Sequence, residues 1–334
     1  MTNNKEDFIS EIGNTPLIKL KAASELTGCN IYGKAEFLNP GGSVKDRAAL
    51  ALIRDAQEKK LISKGGTIVE GTAGNTGIGL ALIGNSLGYK TIIVMNDNQT
   101  QEKKDALKKL GVELRLVPSK PYKDDNNYIK VAAKLADELK PTNNNGVIWA
   151  NQFDNTANAN GHYDGTGKEI WEQTEGKVDA FVCASGTGGT IAGVSNALKE
   201  KNKNIKIYLS DPKGSSLYNY VESGELKSEG NSITEGIGSS RITKNFESAK
   251  IDGAFSIDDQ EALSILYNLI QNEDLSLGTS CGVNIAGAIK LGKKLGPGKT
   301  IVTILCDKSD KYATKMFNKK FLDEKGLSYP NWIE

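Results

Sequence analysis

Histidine is almost absent from this 334-residue sequence, and its scarcity excludes several kinds of catalysis. The single histidine is His162. One imidazole cannot build a multi-histidine metal site, and any Ser-His-Asp triad would have to use this residue. We interpret His162 as a structural or surface residue. An acid or base in catalysis would then be Lys, Asp, Glu, Tyr or a cofactor.

Cysteine is also scarce and widely spaced. The four cysteines are Cys29, Cys183, Cys281 and Cys306, with no CxxC pair and no histidine close by. This spacing argues against a zinc site and against a disulfide scaffold. We therefore expect reduced thiols and no bound metal.

The sequence has neither an excess of charge of one sign nor a long apolar run. Lys and Arg number 42 against 41 Asp and Glu, so no strong field favours nucleic acid or acidic lipid. No apolar segment approaches the roughly 20 residues of a membrane helix. Residues 1–10 lack the basic start and apolar stretch of a secretory signal. We expect a cytoplasmic protein of about two domains, without nucleic-acid or membrane partners.

Short β-branched segments alternate with segments of helical period from Lys64 onward. The predicted strands are 67–70, 91–95, 113–117, 146–150, 178–183 and 205–210. The predicted helices are 75–87, 101–110, 128–140, 162–174 and 190–200. This alternation is typical of parallel sheets covered on both faces, with binding sites at the carboxyl ends of strands. We predict two α/β layers with a ligand between them.

Glycine is abundant, at 36 residues, and many glycines stand in short clusters between these segments. In the first cluster, residues 39–47 (NPGGSVKDR), Lys45 falls in the first turn of a helix predicted to run to Lys59. The helix dipole there disfavours a positive charge, which favours a nucleophilic amine. The alternative is a solvated surface lysine. Two adjacent glycines argue instead for a planar ligand close to the backbone.

The second cluster, residues 70–79 (EGTAGNTGIG), joins a predicted strand to a predicted helix. Backbone N–H groups, two threonine hydroxyls and the Asn75 amide would converge there on an anion. A small carboxylate has a suitable size. The alternative is an ordinary glycine-rich turn in which Asn75 or Thr76 caps the helix.

The third cluster, residues 185–190 (SGTGGT), lies directly between a predicted strand and a predicted helix. Its backbone N–H groups and threonine hydroxyls form the kind of cup that binds a phosphate. It departs from GxGxxG at Ile191 and lacks the lysine of GxxxxGK[ST]. A lone phosphate therefore fits better than a dinucleotide or ATP, with a bare turn as the alternative.

The fourth cluster, residues 278–282 (GTSCG), also leads into a predicted helix. On local sequence Ser280 is interpreted as a helix cap. Cys281 is interpreted as a buried thiol rather than a nucleophile, because no histidine is near it in the sequence.

Together the four clusters predict one chemistry. A monophosphate cup, a small-carboxylate cup and an activatable lysine suit an amino-acid enzyme that uses pyridoxal 5'-phosphate. In such an enzyme the lysine forms a Schiff base and moves protons, while the cofactor accepts electrons.

Eight segments also match one known family, in the family's order. They are 12–17 (IGNTPL), 39–47 (NPGGSVKDR), 70–77 (EGTAGNTG), 151–158 (NQFDNTAN), 186–190 (GTGGT), 235–238 (EGIG), 278–282 (GTSCG) and 304–307 (ILCD). On these segments the chain resembles, nearly end to end, the cysteine synthase (O-acetylserine sulfhydrylase) and cystathionine β-synthase family of fold type II pyridoxal phosphate enzymes.

The resemblance implies a fold like that of the tryptophan synthase β-subunit. This fold is α/β, with two three-layer domains and mostly parallel sheets. A smaller mobile domain at 46–155 would carry the substrate-carboxylate loop. A larger domain at 1–45 and 156–334 would carry the phosphate loop.

The resemblance further implies roles for individual residues. Lys45 would hold pyridoxal phosphate as an internal aldimine and remove the substrate Cα proton. Asn75 would hydrogen-bond the ring oxygen of the cofactor, and Ser280 would face its pyridine nitrogen. The phosphate would bind to Gly186, Thr187, Gly188, Gly189 and Thr190. The substrate would contact Thr72, Ala73, Gly74, Thr76, Gln152 and Gly236.

The implied reaction is a β-replacement that converts O-acetyl-L-serine and sulfide to L-cysteine and acetate through an α-aminoacrylate intermediate. A homodimer is implied, and so is binding of a serine acetyltransferase C-terminal peptide. Gly71 and Ala73 stand where the family commonly has Pro and Ser, and Cys281 stands where it has Ser. Loss of a hydroxyl from the carboxylate loop would shift substrate preference within the family.

Other functions remain open at the level of the sequence. A cystathionine β-synthase-like enzyme, or one using O-phosphoserine, would share the chemistry with a different nucleophile or leaving group. A non-catalytic paralogue would keep the fold to bind a partner protein. A nicotinamide dehydrogenase is disfavoured because the GxGxxG motif is incomplete.

Overall fold

A computed structural model of the chain describes residues 8–72 and 74–333, which divide into two compact units. The first unit contains the residues up to Gly13 and Asn39–Gly161, and the second contains Asn14–Leu38 and the residues from His162 onward. Lys45 therefore belongs to the first unit. The movement of 46–155 against 1–45 and 156–334 stays a prediction.

The strands and helices follow one another in the alternating order that the sequence predicts. The strands are β1 (Leu17–Lys19), β2 (Asn30–Lys34), β3 (Thr67–Gly71), β4 (Lys90–Asn96), β5 (Glu113–Val117), β6 (Val147–Trp149), β7 (Ala180–Cys183), β8 (Lys206–Pro212), β9 (Gly253–Ile257) and β10 (Thr300–Ile304). The helices are α1 (Lys21–Thr27), α2 (Lys45–Glu58), α3 (Asn75–Leu87), α4 (Gln101–Lys109), α5 (Tyr128–Leu139), α6 (Ala157–His162), α7 (Lys168–Gln173), α8 (Gly189–Lys201), α9 (Leu217–Ser223), α10 (Lys244–Glu247), α11 (Asp259–Glu273), α12 (Thr279–Leu295), α13 (Ala313–Met316) and α14 (Lys319–Lys325).

The first unit is built on a parallel four-stranded sheet in the order β5-β4-β3-β6. On one face Ile68 packs in a cluster with Leu52 of α2 and Leu80 of α3. On the other face Val69 packs with Ala132 of α5. Successive residues of a strand point to opposite faces, so this central strand is covered by helices on both sides.

The second unit is built on a six-stranded sheet in the order β1-β2-β10-β7-β8-β9. The edge strand β1 pairs antiparallel with β2, and the other neighbouring strands of this sheet pair in parallel. Its main core cluster joins Ile31, Val182 and Ile301 of the sheet to Leu266 of α11 and Ile285 of α12. The mixed, mostly parallel α/β architecture predicted from the sequence is confirmed.

One predicted helix, 162–174, is more irregular than the sequence indicates. The helical segment begins earlier, at α6, passes through a π-helical turn at Tyr163–Gly167 and continues as α7. Such turns widen a helix locally and are common near functional sites. Gly167 lies in the turn, where a Cβ would stand 2.5 Å from the Ala197 Cβ of α8. The wider turn therefore accommodates a close approach between two helical segments.

Two further features are absent from the part of the chain that the structure describes. Within 8–72 and 74–333, none of the helices has the length and apolar character needed to cross a membrane. The same residues contain no group of three His, Cys, Asp or Glu side chains placed to hold a metal ion.

Candidate functional site

The predicted site residues fall into both units. Those in the first unit are Lys45, Thr72, Gly74, Asn75, Thr76 and Gln152, and those in the second are Gly186, Thr187, Gly188, Gly189, Thr190, Gly236 and Ser280. Ala73 lies outside the described residues.

Lys45 is the first residue of α2, as the sequence predicts. Its backbone N–H donates to Ser43 Oγ at 3.2 Å, and its side chain is half-buried. The preceding turn folds back onto the helix, because the Gly41 N–H donates to the buried Asp46 carboxylate at 2.6 Å. A Cβ on Gly41 would lie 2.4 Å from Asp46 Oδ1, so only glycine permits this close approach. The turn thus fixes the position of Lys45 at the helix N-terminus.

The loop between β3 and α3 brings two predicted substrate contacts together. Thr76 Oγ1 donates to Gln152 Oε1 at 2.6 Å, and both side chains are buried. Thr72 is also buried, and its Oγ1 accepts the Gly74 N–H at 3.3 Å. Asn75 starts α3, with Gly74 rather than Asn75 or Thr76 in the capping position. The polar groups of Thr72, Thr76 and Gln152 are therefore gathered at one helix N-terminus, where an anion is stabilised.

Glu70 is a feature of this loop that motif analysis missed, although it is the first residue of the EGTAGNTG segment. It is fully buried, and its Oε2 accepts the Asn151 N–H at 2.7 Å. Burial raises the pKa of Glu70 to about 8, and hydrogen bonds from Asn151 and Gln152 oppose that rise. A carboxyl group in this state holds its proton at neutral pH. The sequence signal was an acidic residue inside an otherwise apolar strand.

The raised pKa predicts how stability depends on pH. Between the ordinary pKa of 4.5 and about 8, the folded protein keeps a proton that the unfolded chain releases, so stability falls as pH rises through this window. Glu70→Gln removes that dependence. The free energy of unfolding of Glu70→Gln minus that of wild type, both measured with urea, should increase by about 3 kcal/mol between pH 5 and pH 7. Each pKa unit corresponds to about 1.4 kcal/mol. A difference that stays constant across this range would contradict the prediction.

In the second unit, residues 185–190 connect β7 to α8 as a tight loop. Gly188 caps the 13-residue helix α8 with a φ of 87°, in the left-handed region. Gly186 is equally constrained, because a Cβ there would lie 2.2 Å from the Gly236 carbonyl oxygen. The predicted residue Gly236 therefore lies directly beside the loop. A Cβ at position 188 would in turn lie 2.5 Å from the Phe246 backbone nitrogen, so there is no room for a side chain at either position.

The threonines of this loop are held by neighbours that the sequence did not reveal. Thr190 Oγ1 lies 3.2 Å from His162 Nε2, and His162 Nδ1 lies 2.8 Å from Thr166 Oγ1. Thr243 Oγ1 donates to the Thr187 carbonyl at 2.7 Å. His162 is buried, as a structural residue would be, and its structural role is to support the loop.

The loop fits a phosphate group on its own chemistry. Gly186, Gly188 and Gly189 have no side chains that could cover the backbone N–H groups at the N-terminus of α8. Ser185 Oγ is buried and has no hydrogen-bond partner among the described residues. An unpaired buried hydroxyl beside a helix N-terminus is satisfied by an anionic ligand. The donor set therefore matches a phosphate monoester.

Ser280 lies in the first turn of α12 and is 4% exposed. The helix is capped by Gly278, so the helix-cap interpretation of Ser280 is wrong. Cys281 is fully buried, and its Sγ accepts the Cys306 N–H at 3.1 Å. Burial raises the pKa of the Cys281 thiol. A thiol in this state is not a nucleophile, in agreement with the sequence interpretation.

Comparisons with known proteins match most of the chain to one family. The family model described as "Pyridoxal-phosphate dependent enzyme" matches residues 9–307. Cysteine synthase 1 of Neurospora crassa is 49% identical over 321 residues, which cover 95% of this chain and 84% of the relative. Cysteine synthase of Dictyostelium discoideum is 46% identical over 329 residues, covering 95% of this chain and 85% of the relative.

A solved structure is also similar to this chain over most of its length. It is that of a hydrogen sulfide-producing enzyme from Fusobacterium nucleatum, which is 33% identical to this chain. The match has a TM-score of 0.81 and covers 93% of this chain and 98% of the other. The predicted fold class is thus confirmed by sequence and by structure.

Proposed function

Since the chain belongs to the pyridoxal-phosphate dependent enzymes, we propose that it is a cysteine synthase that converts O-acetyl-L-serine and sulfide to L-cysteine and acetate. The observation that carries this proposal is the identity of 46% to 49% with cysteine synthases over 95% of the chain. At this identity the similarity covers both the carboxylate loop and the phosphate loop rather than one motif.

Pyridoxal phosphate, when bound, supplies an electron sink for the substrate Cα. Residues 185–190 would hold its phosphate through backbone N–H groups and threonine hydroxyls. Lys45 would hold the cofactor through Nζ, and the same Nζ would accept the proton from the substrate Cα. Asn75 would donate to the ring oxygen, and Ser280 would present a hydroxyl to the ring nitrogen. A hydroxyl there, in place of a carboxylate, would leave the nitrogen unprotonated and favour elimination over transamination.

The substrate carboxylate binds at the N-terminus of α3. Thr72 and Thr76 offer hydroxyls there, and Gln152 offers an amide that already contacts Thr76. On the resemblance, Ala73, Gly74 and Gly236 would be further substrate contacts. The carboxylate is the only fixed negative charge on O-acetylserine. This contact therefore orients the Cα–H bond toward the base.

The test is a panel of purified-enzyme assays. O-acetylserine, O-phosphoserine and serine are each combined with sulfide, thiosulfate or homocysteine, and the product is identified by mass spectrometry. Cysteine formed fastest from O-acetylserine and sulfide supports the proposal. Faster formation of cystathionine, or preference for O-phosphoserine, would overturn it in favour of the related β-replacement enzymes.

The assembly and a protein partner belong to the same proposal. The enzyme acts as a homodimer, and it binds the C-terminal peptide of serine acetyltransferase, whose terminal carboxylate would occupy the same anion site as the substrate. Sedimentation of the purified protein tests the dimer. Competition between such a peptide and O-acetylserine tests the partner, and non-competitive behaviour would contradict a shared site.

Removing either member of the Thr76–Gln152 pair should weaken substrate binding. Gln152→Ala removes the amide that donates to the carboxylate, and Thr76→Ala removes the hydroxyl that holds this amide through Oε1. A hydrogen bond to a charged group is worth about 1.5 to 3 kcal/mol, so each variant should lose roughly 10- to 150-fold in kcat/KM. KM for O-acetylserine should rise and stopped-flow formation of the intermediate should slow. Ser63→Ala, on the exposed surface of the same unit, is the control. Unchanged kinetics in both loop variants would place the carboxylate elsewhere.

A further inference from the structure

The carboxyl group of Glu70 lies in strand β3, two residues before Thr72 of the carboxylate loop. Its side chain is 0% exposed, and its Oε2 accepts the Asn151 N–H at 2.7 Å. Its second oxygen, Oε1, has no hydrogen-bond partner among the described residues. Gln152 lies close enough to oppose the rise in the Glu70 pKa that burial causes. The carboxyl thus lies against Asn151 and Gln152, in the loop after β6.

These two residues form a turn that is held from two sides. Asn151 has a φ of 51°, in the left-handed region that asparagine enters more often than most residues with a side chain. On one side the turn is held by the sheet, where the Ala150 N–H donates to the Val69 carbonyl at 3.0 Å. On the other side it is held by Glu70. From this turn the side-chain oxygen Oε1 of Gln152 accepts a hydrogen bond from the Thr76 hydroxyl at 2.6 Å.

We propose that Glu70 is a positioning residue, whose carboxyl group fixes the Asn151–Gln152 turn and thereby sets the Gln152 amide and the Thr76 hydroxyl for the substrate carboxylate. The proposal rests on the proposed function of this loop. Glu70 acts through Gln152 and does not touch the substrate itself. All four residues lie in the first unit.

Protonation suits Glu70 to this role. Its pKa is raised to about 8, with burial as the largest cause. A neutral carboxyl can accept the Asn151 N–H without placing a negative charge under an anion site. Once Glu70 ionises, its charge opposes the substrate carboxylate, so KM for the amino-acid substrate should rise as pH passes about 8.

Other charged groups lie on the elements packed against β3. Glu70 points to the same face as Ile68, toward α2 and α3, and its register partner on β4 is Ile93. Helix α3 carries no charged residue. The charged residues at the start of α2 are Lys45, Asp46 and Arg47. Those of α5, on the opposite face, are Lys130, Lys134, Asp137 and Glu138, all at least partly exposed.

The test compares three variants of the holoenzyme. Glu70→Ala leaves the Asn151 N–H without its acceptor, and KM for O-acetylserine should rise about tenfold or more while kcat changes less than about threefold. Glu70→Gln keeps a neutral acceptor of the same shape, so KM should stay within about threefold of wild type. Leu135→Ala, in α5 on the other face of the sheet, controls for loss of packing and should leave KM unchanged.

The pH profile separates positioning from a general loss of packing. The rise of KM above about pH 8 in wild type should be absent in Glu70→Gln measured at the same pH values, since all other titrating groups are shared. A second readout needs no turnover. Calorimetric binding of L-serine to the loaded enzyme should weaken in Glu70→Ala by the same factor as KM rises.

The outcomes distinguish this inference from the proposed function. If wild type forms no cysteine from any donor in the panel, the proposed function fails, and the inference then stands or falls on the calorimetric comparison alone. If Glu70→Ala binds L-serine as tightly as Leu135→Ala does, the inference is overturned even when the enzyme is an active cysteine synthase. An identical pH rise in wild type and Glu70→Gln would also overturn it.

Discussion

Replacement of Lys45 by alanine is expected to abolish both the covalent attachment of pyridoxal phosphate and turnover. Lys45 carries the only amine in the 39–47 segment, and the Gly41–Asp46 contact fixes its place at the start of α2. A proton acceptor positioned at the reacting carbon contributes about 10²- to 10⁴-fold, and the covalent step is lost as well. We therefore expect kcat/KM to fall by at least about 10³-fold.

The measurement combines absorbance with chemistry. Wild type should show Schiff-base absorption, and borohydride reduction followed by peptide mapping should locate the cofactor on Lys45. Lys59→Ala is the matched control, because Lys59 follows the same helix and its ion pair with Asp55 is exposed, with a lysine side chain 59% exposed. Exposed pairs of this kind contribute about 0 to 1 kcal/mol. A reduced adduct on another lysine would contradict the assignment.

The elements that the sequence predicted best are those with a strong local signal. The predicted bounds of α3 and β5 agree with the structure to the residue, because each is flanked by glycine or by a clear change of period. The segment of α6 and α7 was predicted as one helix from His162, since a π-helical turn has no distinct sequence pattern. Its widening depends on a tertiary contact between Gly167 and Ala197.

In the candidate site, too, motifs of neighbouring residues could be predicted from the sequence, whereas contacts between residues far apart in the chain could not. The glycine clusters at 39–47 and 185–190 are local motifs, and the sequence predicted their loops directly. Thr76 and Gln152 lie 76 positions apart, and only the family resemblance assigned both to the substrate; their hydrogen bond was not predicted. The place of Glu70 beside that pair was not predicted. Burial decides its pKa, and burial of a single acidic residue is a property of the folded sheet.

Gly188→Ala is expected to have the second largest effect, because it weakens binding of the cofactor. It removes no catalytic group. A Cβ at position 188 would lie 2.5 Å from the Phe246 backbone nitrogen and 2.7 Å from its Cα. Backbone atoms of α10 cannot move aside as a flexible side chain would. The φ of 87° adds about 1 to 2 kcal/mol for an L-residue, and the overpacking adds about 1 to 3 kcal/mol. The loop must shift to relieve this strain.

A shift at Gly188 moves the N–H groups of Gly189 and Thr190 away from the phosphate. Two misplaced hydrogen bonds to a charged group cost about 3 kcal/mol or more. Affinity for pyridoxal phosphate should therefore fall by about 100-fold. Gly224→Ala is the control for strained backbone outside the phosphate loop. Gly224 follows α9 with a φ of 80°, and a Cβ added there would meet nothing within 4 Å, so its variant carries the conformational cost alone and should keep wild-type affinity. Titration of cofactor-free protein with pyridoxal phosphate measures both variants. Equal affinities in the two variants would contradict the prediction for position 188.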